Sequence, residues 1–194
     1  MKQWIEALRA HPDSRLRTAG VLVRPHPERI REWAGVSLDG LDNVVVHGRT
    51  PIDTDAKADY FDSLYHSAAV VGINTSAFIE AGIVGRPVLA VLPEEFRSNQ
   101  EGTLHFRYLT STDGGLLTIA RTLDEHATQL LSMLAGPPLG VLARQERFVK
   151  EFVRPHGLTV SATAIMAQGI ETIAPVESPT KRDRGSVTGR FGLR

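Results

Sequence analysis

Four short apolar runs, each bounded by a chain breaker and the first three followed by helix-forming sequence, constrain the fold of this chain more than any other feature. They are Val21-Leu22-Val23 before Arg24-Pro25, Val44-Val45-Val46 after Asn43, Val70-Val71-Gly72-Ile73 before Asn74, and Val88-Leu89-Ala90-Val91-Leu92 after Pro87. Runs this short and this continuous suit strands buried on both faces of a parallel sheet, rather than strands with one wet face. Helical stretches are expected at Lys2–Ala10, Glu28–Ala34, Ala56–His66 and from Thr75 or Ser76 to Val84, where Gly85 suits a left-handed C-cap. On Ala56–His66 the apolar face is expected to hold Ala58, Phe61, Leu64 and Tyr65. A long helix is expected over Leu116–Leu134, because positions 116, 119, 120, 123, 127, 130, 131 and 134 keep the helical period. Further helices are expected at Leu142–Val153 and Ser161–Gln168, and a short strand at Phe106–Leu109. Strands alternating with helices predict an α/β, Rossmann-like, doubly wound parallel sheet. A single domain is expected over residues 1–174, with a disordered tail of Lys, Arg, Gly and Ser from Pro175 to Arg194.

Composition narrows the function classes. Lys and Arg number 22, Asp and Glu also 22, so the formal charge is zero and nothing favours a nucleic-acid partner. There is no cysteine, which removes disulfides, thiolate metal sites and a Cys nucleophile. No window approaches the roughly 20 apolar residues of a membrane span. The expectation is a cytoplasmic chain, at most peripheral at the inner membrane face.

In a parallel α/β sheet ligands bind beyond the carboxyl ends of the strands, and three polar clusters fall there. The first is Arg24-Pro25-His26-Pro27, where a stiffened backbone holds a cation and a histidine that can meet a phosphate. The same letters also fit a rigid strand exit with a surface histidine. The second is Asn74-Thr75-Ser76 with Glu80: free amides and hydroxyls at a helix start suit an anion, and the glutamate can accept from sugar hydroxyls. Ordinary capping explains these residues equally well. The third is the loop of Glu94, Glu95, Phe96, Arg97, Asn99 and Gln100, with His105 beyond; it suits a ligand contact or plain solvated charge. His47, His66 and His126 lack ligand-like spacing and read as structural. No dinucleotide glycine motif, phosphate-loop lysine motif, nucleophile elbow or zinc-protease motif is present.

The order of Val21–Pro27, Phe61–Ala68, Val71–Ser76 and Glu80–Leu89 resembles the C-terminal, donor-binding half of GT-B glycosyltransferases. It is also similar to their relatives, the CDP-glycerol glycerophosphotransferases, capsule polysaccharide transferases and UDP-N-acetylglucosamine 2-epimerases. The resemblance covers about residues 20–135. It implies donor contacts from Arg24, His26, Asn74, Thr75, Ser76 and His105, with Glu80 on the ribose hydroxyls. The implied ligand is a nucleoside diphosphate carrying a sugar or polyol. No cofactor and no metal are implied, and no D-x-D motif is evident. Thr75 and Ser76 stand where the epimerases have glycines, which moves the match towards transferases. The resemblance also implies a strand and phosphate loop ahead of the helix at Trp4–Arg9, with which this chain begins. The expectation is therefore a sheet lacking its first strand, in a chain that is a fragment, a subunit completed by a partner, or a degraded gene, with an acceptor-domain partner or self-association as the expected partners. Two alternatives stand beside it: a non-catalytic nucleotide-binding module or inactive remnant, and an epimerase-like fragment.

Overall fold

The computed structural model describes residues 1–48, 50–94 and 102–173. The chain divides into two compact units, Met1–Gly157 and Leu158–Arg194. Glu95, Phe96, Arg97, Asn99, Gln100 and the tail from Pro175 onward lie outside the described residues.

The first unit is α/β. Helices α1 (Lys2–Ala10) and α2 (Ser14–Arg17) lead into β1 (Val21–Val23). A 3-10 turn (Pro27–Arg29) and α3 (Ile30–Trp33) connect it to β2 (Val44–Val46). Then α4 (Thr54–Tyr65), β3 (Val70–Gly72), α5 (Ala77–Ile83) and β4 (Val88–Val91) follow in turn. Beyond the polar loop come α6 (Leu104–Ser111), β5 (Thr118–Ala120), α7 (Leu123–Leu134) and α8 (Leu139–Phe148), which runs into a π-helical turn at Val149–Val153.

The strands make two parallel sheets, β1-β2 and β3-β4-β5. Val21 stands opposite Val44 in the first; Val70 pairs with Val88 and Leu89 with Thr118 in the second. β4 is the interior strand, and Val88, Leu89 and Ala90 are wholly buried. That burial is why its sequence is apolar at every position rather than alternating. The main core packs Phe78, Phe106, Leu116 and Phe148 around β4. A smaller cluster joins Leu8, Leu16, Ala127 and Leu130 of α1, α2 and α7, with Val21 and Ala69 against it.

Three local expectations change. Leu116–Leu134 is not one helix: β5 occupies Thr118–Ala120, and α7 starts after Thr122, whose hydroxyl accepts from the Glu125 N–H at 3.1 Å. Glu125 in return accepts from the Arg121 N–H at 2.7 Å, so a reciprocal cap interrupts a continuous apolar period. Phe106–Leu109 is helical, within α6, because Thr103 caps it through the Phe106 N–H and both Phe106 and Leu109 turn into the core. On α4 the buried face carries Ala56 and Leu64 with Tyr60 between them, whereas Ala58, Phe61 and Tyr65 are exposed. Phe61 and Tyr65 instead stack on each other at 5.4 Å on the surface.

His126, read from sequence as structural, is buried on α7 beside Trp4, with ring centroids 5.9 Å apart. Neither ring nitrogen has a hydrogen-bond partner. Burial disfavours the imidazolium and lowers its pKa to about 4. The unfolded chain therefore binds the extra proton between about pH 6.5 and pH 4, and the folded chain does not. Stability falls through that window as pH drops, by about 3 kcal/mol in full. Thermal midpoints recorded from pH 7 to pH 4 for wild type and His126→Phe check this. The variant should lose less over the window, and equal losses would refute the assignment.

In the second unit, the described residues form α9 (Ala162–Ile173), with Met166, Ile170 and Ile173 exposed. Among the described residues no helix is long and apolar enough to cross a membrane.

Candidate functional site

Arg24 leaves the carboxyl end of β1 half-buried, and its guanidinium is already engaged. Its Nη1 donates to Asp59 Oδ2 at 2.9 Å, and its plane lies 5.2 Å from the Tyr60 ring centre. His47, just after β2, meets the other Asp59 oxygen at 3.1 Å. The Arg24 guanidinium, and after it His47, hold the Asp59 carboxyl below its ordinary pKa.

The neighbouring Tyr60 carries the connection onward. Its hydroxyl donates to Glu80 Oε2 at 2.5 Å, a short charge-assisted bond. Burial first, and the adjacent carboxylate second, raise the Tyr60 pKa, so the phenol stays protonated at any physiological pH. A continuous polar chain thus runs His47–Asp59–Arg24–Tyr60–Glu80 across the ends of β1 and β2, the helix α4, and α5. Sequence reasoning singled out Arg24 at the centre and Glu80 at one end, read His47 at the other end as structural, and missed Asp59 and Tyr60. The signal that finds Tyr60 is the i, i+4 spacing of Ala56, Tyr60 and Leu64, which marks the inward face of α4.

The turn after β3 is built from its own side chains. The Ala77 N–H donates to Thr75 Oγ1 at 3.3 Å, so Thr75 caps α5, and Ser76 is exposed and makes no capping bond. Asn74 Nδ2 donates to Thr103 Oγ1 at 3.2 Å, which ties the turn to the start of α6. His105, exposed, is the second residue of that helix. His26 is exposed and uses Nδ1 to accept from the Glu28 N–H at 3.3 Å, capping the 3-10 turn. The structure therefore links Arg24 with Glu80 and Asn74 with the helix of His105. It gives His26 a capping role.

Beyond the ends of β4 and β5 lies an open depression of about 230 Å³, lined by Leu92, Phe106, Arg107, Thr110, Ile119 and Arg121. Its lining combines the apolar Leu92, Phe106 and Ile119 with two arginines. Among the described residues no three His, Asp or Glu side chains gather as metal ligands. No protein-family model, curated protein or solved structure matches the chain.

Proposed function

We propose that the chain is the donor-binding half of a glycosyltransferase-like enzyme of the GT-B kind. In that role it holds a nucleoside diphosphate bearing a sugar or polyol at the carboxyl ends of its parallel strands. The observation that carries the proposal is the link from Arg24 through Tyr60 to Glu80, which holds a cation against the ring of one tyrosine and a carboxylate against its hydroxyl. Arg24 supplies charge for the diphosphate, and its planar fork can take two oxygens at once. Glu80 keeps acceptor capacity beyond the Tyr60 bond, since a carboxylate offers about four lone-pair positions; the ribose hydroxyls take these. Catalysis in such a site is electrostatic, with fixed donors stabilising charge on the departing nucleoside diphosphate. The attacking acceptor is brought by a second, acceptor-binding half.

A second function is a nucleotide-binding module without catalysis. It is favoured by the internal engagement of both site groups, Arg24 in an ion pair with Asp59 and Glu80 in a hydrogen bond from the Tyr60 hydroxyl.

Thermal-shift titration with UDP, CDP, GDP and their sugar or glycerol conjugates tests the donor site. At a hundredfold excess over Kd one nucleoside diphosphate should stabilise the chain by about 2.7 kcal/mol. That shift should disappear in Glu80→Ala and persist in Tyr60→Phe, which keeps the carboxylate and removes only its internal donor. A shift of equal size in Glu80→Ala, or none from any nucleotide with wild type, would sink the donor proposal. Sugar transfer to water or an acceptor by the chain mixed with an acceptor-binding half separates the enzyme from the module.

A further inference from the structure

Transfer from a nucleotide donor needs a group that takes the proton of the attacking hydroxyl, and the donor contacts alone do not supply one. β1 and β2 are parallel neighbours, and the residues that leave their carboxyl ends side by side are Arg24 and His47. One last ladder bond fixes the second of them: the His47 N–H donates to the Val23 carbonyl at 3.0 Å. The chain then passes Gly48 directly against the guanidinium, since a Cβ built there would stand 3.6 Å from Arg24 Nε. Asp59 of α4 holds both side chains at once. Its Oδ2 accepts from Arg24 Nη1 at 2.9 Å, and its Oδ1 meets His47 Nε2 at 3.1 Å.

That contact decides which ring nitrogen of His47 is basic. Asp59 is a carboxylate, because the hydrogen bond from Arg24 above all holds its pKa down. A carboxylate only accepts, so Nε2 carries the hydrogen and Nδ1 keeps the lone pair of the neutral ring. Among the described residues Nδ1 has no partner, and the side chain is half exposed. A carboxylate orienting one imidazole nitrogen and an open lone pair on the other are what a general base requires. His26, the other histidine at this end of β1, is arranged differently. It spends its Nδ1 lone pair on the Glu28 N–H at 3.3 Å, so the neutral ring has no basic nitrogen left.

We propose that His47, oriented by Asp59, is the general base of a transfer from a nucleoside-diphosphate sugar. The inference rests on the donor-binding reading and adds to it the group that activates the acceptor. Nδ1 takes the proton of the attacking hydroxyl while the hydroxyl oxygen bonds to the anomeric carbon of the donor. The bond from that carbon to the diphosphate breaks, and its electron pair leaves with the nucleoside diphosphate, whose charge meets Arg24. Asp59 stabilises the imidazolium that forms. When water attacks, the products are the free sugar and the nucleoside diphosphate, and His47 passes its proton to solvent. Base and leaving-group cation thus lie on one chain, which hydrolyses its donor without an acceptor-binding half.

The test measures nucleoside diphosphate released from UDP-, CDP- and GDP-glucose by the full chain, beside the thermal shift that each produces. The sugar nucleotide that stabilises the wild type should also be hydrolysed by it. In His47→Gln the shift should persist while hydrolysis falls about a hundredfold or more. Glutamine still donates to Asp59 through its amide but has no basic nitrogen. His47→Ala should be as slow and regain part of the rate in added imidazole, which serves should the glutamine variant fail to fold. A His47→Gln rate within about twofold of wild type would reduce the residue to a holder of Asp59 and overturn the base. A wild type that is stabilised by a sugar nucleotide without hydrolysing it would also overturn the base, as would an alanine variant that imidazole leaves unchanged. A wild type that none of the three stabilises overturns the donor reading itself, and the base with it.

Discussion

Phe78→Ala should cost the first unit about 3–5 kcal/mol and lower its thermal midpoint by roughly 10–15 °C. Phe78 is wholly buried, and it pins α5 to the sheet from the middle of the main core. Its ring lies so close to β3 that a Cβ built on Gly72 would come within 2.8 Å of Phe78 Cε1. The glycine and the phenylalanine therefore act as one fitted pair. Gly72→Ala alone should be destabilising, because the ring has to move. In the Phe78→Ala background the added methyl enters the vacated space, and Gly72→Ala should cost much less. Denaturant unfolding of the two single variants and the double variant measures this coupling; simple additivity would show that the pair does not pack as described. The functional consequence is specific. α5 carries Glu80, and the Thr75 turn precedes it, so Phe78→Ala should weaken nucleotide binding together with stability. Glu80→Ala should weaken binding alone.

The strands were legible in the sequence because burial on both faces leaves only short apolar runs, and Pro, Gly and Asn mark where they stop. β5 escaped for the opposite reason. Leu116, Ile119 and Ala120 fall on the same period as the helix that follows, and only the Thr122–Glu125 cap separates strand from helix. Periodicity could not divide them, whereas capping chemistry does. The candidate site was half legible. Arg24 and Glu80 announce themselves as polar residues near strand ends, but what joins them is the orientation of α4. Phe61 and Tyr65 pulled the expected apolar face towards themselves, and the structure leaves both on the surface, with Arg86 5.2 Å from the Tyr65 ring centre. Aromatic side chains stacked in solvent and aromatic side chains in a core look alike in a one-dimensional pattern. The inward-facing Tyr60 is half polar, so no hydropathy pattern favours it over Phe61. The division into two sheets depends on which backbone groups pair, and side-chain letters carry that only indirectly.

Gly115→Ala should be among the most damaging single methyl additions in the chain, at about 4 kcal/mol. Gly115 has φ 79° and ψ 158°, a conformation open essentially to glycine alone, and forcing another residue into it costs about 1–3 kcal/mol. A Cβ there would also stand 2.5 Å from the Thr110 carbonyl oxygen, a backbone atom that cannot swing aside. Relieving that contact means shifting chain, at a further cost of about 1–3 kcal/mol. Gly85→Ala is the matched comparison. Gly85 also has a positive φ, 74°, but an added Cβ meets nothing within 4 Å, so its cost should stay near 1 kcal/mol. The difference between the two losses, measured by denaturant unfolding, isolates the Thr110 contact; equal losses would mean that the clash relaxes without cost. The position has reach beyond its own turn. Gly115 aims the next residue, Leu116, whose N–H donates to the Leu109 carbonyl of α6 at 2.7 Å. The Leu116 methyl groups fill the space at Gly82 of α5, where a Cβ would lie 2.7 Å from Leu116 Cδ1. A displaced Gly115 turn therefore moves α6, which lines the cationic depression, and pushes on α5, which holds Glu80. Gly115→Ala should accordingly lose nucleotide-dependent stabilisation even under conditions where it remains folded, whereas Gly85→Ala should keep it.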